Sequence, residues 1–144
     1  MKKPKNEVTA ARPADHETTN PRAKLEAEIS QAIIHFEKEY MGRGPTEIKT
    51  FLLGDLVLVR LKGVLTTSEL KLAETDGTSR GQSLIKQVRQ ELIERGRPLL
   101  DAIVRDILGI AVVSLHTDIS VKTGERIIVF TLERAVRFDG EPLP

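Results

Sequence analysis

GRGPTEIKTFLLGDLVLVRLKG, residues 42–63, sets two glycines, a proline and an arginine against two apolar runs. The runs at 46–53 and 55–62 are rich in β-branched and large apolar residues at a period of two, the spacing of a strand with one buried face. Gly54-Asp55 between them is a tight-turn pair, so the stretch predicts a β-hairpin. What GRGP does decides the rest. A phosphate-cradling loop places backbone N–H groups at a helix N-terminus, where the helix dipole is positive. Here the glycines follow a helical pattern and face the carbonyl end, and neither glycine-rich nucleotide motif is met. Arg43, Gly44 and Pro45 are therefore read as the corner between a helix and a sheet. Arg43 suits the negative helix end; a carboxylate-bearing ligand or partner is the other role open to it.

Working outward, Asn20-Pro21 is an N-cap followed by proline at the first helical position. Leu25, Ile29, Ala32, Ile33, Phe36 and Tyr40 then recur at helical spacing until Gly42. After the hairpin, TTSE at 66–69 has the form of a capping box, opening a short helix that Gly77 is expected to stop. A longer apolar stripe runs from Leu84 to Ile107 and stays in phase across Gly96 and Pro98, which predicts one bent helix. Arg97 is placed to satisfy carbonyls freed at that bend. RQELIER, 89–95, is read as a solvated charged face. A second hairpin, 110–120 and 125–133, turns at Lys122-Thr123-Gly124.

The two halves each read helix, strand, turn, strand. An αββ unit used twice predicts an α+β fold: a four-stranded, mostly antiparallel sheet with helices on one face. The organisation is a disordered tail at 1–19, a single domain at 20–138 and a short tail at 139–144.

Composition narrows the function classes. Lys and Arg number 22 against 21 Asp and Glu, and the first 22 residues hold five of the bases against three acids. The remaining body is thus slightly negative, which gives no electrostatic ground for binding nucleic acid. Four Phe, one Tyr and no Trp make no base-stacking platform. There is no cysteine, so disulfides and thiol chemistry are out. No cofactor or metal site is legible. The N-terminus lacks the apolar core of a secretory signal, and the longest apolar run, 107–113, is far short of the ~20 residues of a membrane span. The expectation is a cytoplasmic protein that does not insert into a membrane.

Strand alternation carries the strongest expectation about association. Val57, Val59 and Leu61 share a face with Ile128, Phe130 and Leu132, and with Ala111, Val113, Leu115 and Ile119. The opposite face collects Leu56, Leu58, Val112, Ile127 and Val129 beside His116 and Asp118. Each apolar side chain there stabilises by roughly 1.5–3 kcal/mol if fully buried. A bare patch of that size is one that monomers avoid, so the sheet is expected to pair with a second copy. A polar alternative uses the same region. His116 and Asp118 project from one face, and with Arg43 and Arg126 they would line a ligand cleft if all four converge.

GRGPTEIKTFLLGDLVLVRLKGVLT and HTDISVKTGERIIVFTL, with RPLL between them, resemble the MpsC family, a small bacterial domain long of unknown function. The resemblance spans residues 22–135. The family's name ties it to a sodium-translocating, membrane-potential-generating system. The resemblance implies a small cytosolic accessory protein, peripheral to a membrane system that handles ions or bicarbonate, with a transporter subunit as partner. It supplies no catalytic residues.

Overall fold

The computed structural model describes residues 9–10, 20–74 and 80–138. Helix α1 (Pro21–Met41) starts as its sequence dictates: the Asn20 side chain accepts from Ala23 N, and Pro21 needs no partner for an N–H it lacks. Gly42 ends it in the left-handed conformation, φ 84°, which costs a glycine nothing. Strands β2 (Glu47–Leu53) and β3 (Leu56–Lys62) form the first hairpin about Gly54-Asp55. Helix α2 (Thr67–Ala73) carries the full capping box between Thr66 and Glu69. It ends at Glu74; Gly77, its expected stop, lies outside the described residues. Helix α3 (Arg80–Leu108) runs unbroken through Pro98, followed by β4 (Val112–Ser120) and β5 (Glu125–Leu132). A two-residue strand, β1 (Thr9–Ala10), pairs parallel with Glu47 and Ile48. It falls in a stretch expected to carry no structure; the rest of that stretch, like 139–144, is outside the described residues.

The sheet order is β1-β2-β3-β5-β4, so the two antiparallel hairpins meet through their second strands, β3 and β5. Helix α1 packs over β2, α3 over β4, and the helices pack against each other. The αββ unit is indeed used twice, its copies joined along β3 and β5. The core is the layer between: Ile29, Ile33 and Phe36 from α1, Ile85, Ile93, Leu100 and Val104 from α3, and the inward residues of all four long strands.

Two expectations change. First, the buried stripe of α3 is Gly81, Ile85, Arg89, Ile93, Gly96, Leu100 and Val104, whereas Leu84, Val88 and Leu99 are exposed. Gly96 interrupts nothing; it admits the Phe36 ring, which would stand 2.6 Å from a Cβ placed there. Second, β4 carries a register shift between Val112 and Ser114. Val112 consequently sits opposite the buried Leu132 and packs against the core, while Val113 is 63% exposed. The extra residue of a bulge reverses the side-chain alternation on one side of it. Val112 therefore does not belong to the outer face.

Candidate functional site

Two features of this scaffold are not accounted for by folding alone. The first is the outer face of the sheet, which packs against none of the described helices. Register lays it out in rows. At the Gly54 end Leu53, Leu56, Thr131 and Ser114 lie side by side, then Phe51, Leu58, Val129 and His116. The third row is Lys49, Arg60, Ile127 and Asp118, and the fourth Glu47, Lys62, Glu125 and Ser120. Six of these sixteen positions are thus apolar, gathered toward the Gly54 end, and six charged, gathered toward the other. Leu53 is 53% exposed; Phe51, Leu58, Ile127 and Val129 are half-buried by their neighbours alone. Phe51 and Leu53 extend the patch beyond the residues named from alternation, and strand parity in β2 carried that signal.

The second feature lies inside. Glu37 of α1, Arg89 of α3 and Arg126 of β5 are all buried, three charged side chains in an apolar core. Arg89 is held by Glu69 through Nε (2.9 Å) and Nη2 (2.6 Å), and its Nη2 also donates to Val64 O. Burial works to raise the Glu69 carboxyl, but the hydrogen bonds from Arg89 and from the Thr66 backbone leave it below its ordinary value. Arg126 donates from Nη1 to Thr117 Oγ1 at 3.1 Å, and Thr117 in turn donates to Ile127 O. Its Nε and Nη2, the Nη1 of Arg89 and both oxygens of Glu37 have no hydrogen-bond partner. Burial pushes the Glu37 carboxyl up, against the pull of Arg126 and Arg89. Burial likewise lowers Arg126, with Glu37 opposing. Orphaned buried polar atoms are uncommon, and five in one cluster call for an occupant.

A small cleft reaches these guanidiniums between α3 and the β4–β5 hairpin, lined by Lys86, Arg89, Ile93, Thr117, Asp118 and Arg126. Its enclosed part is about 10 Å³, the room of one water molecule. Lys86 and Asp118, both well exposed, pair across its mouth at 3.3 Å. The Ile119 N–H and then Lys86 hold the Asp118 carboxylate below its usual range.

Of the four residues expected to converge, Arg126 and Asp118 line this cleft. Arg43 and His116 do not. Arg43 donates to Gly63 O at 3.2 Å, tying the corner to the end of β3, with Gly44 and Pro45 beside it. His116 is exposed on the outer face opposite Val129. Arg97 reaches neither the cleft nor the carbonyls near Pro98: it donates to Leu115 O on β4 and pairs with Glu94. Arg89, Glu37 and Glu69 were missed by sequence reasoning. Among the charged residues of RQELIER, Glu91, Glu94 and Arg95 are solvated and Arg89 is buried. The missed signal was phase: Arg89 stands four residues from both Ile85 and Ile93.

Comparisons with known proteins agree with the resemblance. A family model described as "Na+-translocating membrane potential-generating system (MpsC)" matches residues 21–134. An uncharacterized protein of Bacillus subtilis (strain 168), YbcI, is 44% identical over 111 residues, covering 77% of this chain and 87% of its own. No solved structure matches.

Proposed function

The chain belongs to the MpsC family, and on that premise we propose that it is an accessory protein that pairs with a second copy of itself through the uncovered sheet face. The pair serves, from the cytoplasmic side, a membrane system that handles ions or bicarbonate, the family being named for a Na+-translocating, membrane-potential-generating one. The supporting observation is the bare outer face with its two apolar rows. Four strands about 4.8 Å apart and seven residues long make a face of roughly 450 Å² in projection. That is a little over half of the roughly 800 Å² each partner gives to a standard interface, with the apolar positions at its centre.

No helix among the described residues is long and apolar enough to cross a membrane, so the chain acts on such a system by docking. Leu84 and Val88, one turn apart and exposed on α3, leave an apolar strip on the opposite side of the molecule for that contact.

Sedimentation equilibrium at micromolar concentration is expected to give the mass of two chains, and Leu58→Arg the mass of one with its circular dichroism intact. A wild-type mass of one chain would remove the self-pairing. Affinity capture from detergent-solubilised membranes of the native host should recover a subunit of an ion or inorganic-carbon transporter. Recovery of none would remove the accessory role.

A further inference from the structure

We infer that the cleft between α3 and the β4–β5 hairpin is a binding site for a small monovalent anion, gripped by the free Nε–Nη2 edge of Arg126 and the free Nη1 of Arg89. Unmet hydrogen bonds mark the site. A guanidinium offers five N–H groups in a fixed fork, and its Nε–Nη2 edge matches two acceptor atoms side by side. In Arg126 that edge is the one left over once Thr117 has taken Nη1. Arg126 and Arg89 are each 2% exposed, so solvent outside the protein does not satisfy them. Both line a cleft whose mouth is formed by a lysine and an aspartate with exposed, movable side chains.

Size and charge narrow the ligand. An enclosed volume of about 10 Å³ admits a water-sized guest, or one slightly larger if the Lys86–Asp118 pair swings aside. Halide and formate, the smallest anions, need only that opening of the mouth; bulky anions are too large and divalent ones carry too much charge. The charged groups around the site come from four elements: Glu37 from α1, Glu69 from α2, Lys86 and Arg89 from α3, and Arg126 with Asp118 from the hairpin. Arg89 is already neutralised by Glu69 and Lys86 by Asp118. Of the carboxylates acting on Arg126, Glu37 is the strongest, Asp118 and Glu69 being paired with Lys86 and Arg89; Glu37 makes no hydrogen bond to it. An anion entering while Glu37 is ionised would leave a net negative charge in the core, which is costly. An anion entering with a proton on Glu37 leaves the cluster neutral. The site therefore takes up an anion together with a proton, and the buried position of Glu37 favours its protonated form.

The test uses the full chain and calorimetric titration of sodium formate and sodium chloride at fixed ionic strength, with sodium gluconate as the bulky control. Formate or chloride should bind saturably and raise the melting temperature while gluconate does neither. Affinity should fall by about tenfold per pH unit above the pKa of Glu37. Glu37→Gln, which mimics the protonated acid, should bind with an affinity that no longer changes with pH. Arg126→Gln should lose binding, and because its buried position puts folding at risk, Lys86→Gln at the exposed mouth supplies a second reading: folded, with several-fold weaker binding. Equal effects of formate and gluconate would overturn the site and leave water as its occupant. A pH dependence that persists in Glu37→Gln would overturn the coupling.

Discussion

Arg89 occupies a position that helical phase reserves for an apolar side chain, and its stem fills that space while its head is neutralised by Glu69 and Val64 O. Removing one member of a buried pair leaves the remaining groups unmatched, so Arg89→Ala is expected to lower stability by roughly 3–5 kcal/mol in urea unfolding. Arg89→Met, which restores volume without charge, should recover a large part of that loss. Glu37 tests the other half of the cluster. Its folded-state carboxyl lies above the ordinary value because burial disfavours its charge. The folded protein thus holds a proton that the unfolded chain has released, and stability falls as pH rises from the unfolded pKa through the folded one. Glu37→Gln removes that slope, so the stability difference between Glu37→Gln and wild type should grow in favour of the variant from acid to neutral pH. A difference constant across that range would show Glu37 to be unperturbed. Helical phase alone would have set both residues on the buried stripes, though the charge run around Arg89 reads as solvated; their partners Glu69, Arg126 and Thr117 come from distant parts of the chain, which no local pattern reveals.

At the scale of elements, what could be read was what is local. Caps, the Gly54 turn and strand parity are set by neighbours a few residues away, and α1, α2 and both hairpins appear where those signals place them. The bulge in β4 depends on how β5 registers beside it, so Val112 and Val113 exchange faces for a reason no window of sequence contains. Gly96 is a similar case. As a helix interior residue it reads as a weakness worth ~1 kcal/mol relative to alanine. In the fold it is the point where α1 meets α3, with Phe36 and Tyr40 against it and their rings stacked at 5.0 Å. A Cβ would lie 2.6 Å from Phe36 Cζ, and a stacked ring has little room to yield. Gly96→Ala is therefore expected to destabilise by roughly 1–3 kcal/mol in spite of its helix propensity. Calorimetry showing an unchanged or higher melting temperature would mean that the two helices separate at no cost. Helix side chains also guard the sheet edges: Arg22 and Glu26 bond the carbonyl and N–H of Leu52, and Arg97 the carbonyl of Leu115. With these groups occupied, the edges offer fewer free partners to an added strand, which suits the proposed pairing through the face.

For the whole molecule, charge placement on that face selects a geometry for the proposed pair. Lys49 and Arg60 stand toward the β2 side of the third row and Asp118 at the β4 side, with Ile127 between. A two-fold axis parallel to the strands, between two stacked sheets, exchanges the β2 and β4 sides while keeping each row over its own copy. Lys49 of one chain then lies over Asp118 of the other, twice, with Arg60, already paired with Glu125, over Ile127, while Leu58 and Val129 meet across the apolar centre. An interface of this kind is self-complementary, so a charge changed on one side is felt in both halves. Asp118→Lys should raise the dimer dissociation constant by setting like charges together, and so should Lys49→Glu. Both substitutions in one chain restore opposite signs across the axis and should recover much of the lost affinity. Sedimentation at several protein concentrations reads all four proteins, and the melting temperature of wild type should rise with concentration as it does for any linked association. If the combined variant is no tighter than its parents, the copies do not meet about this axis.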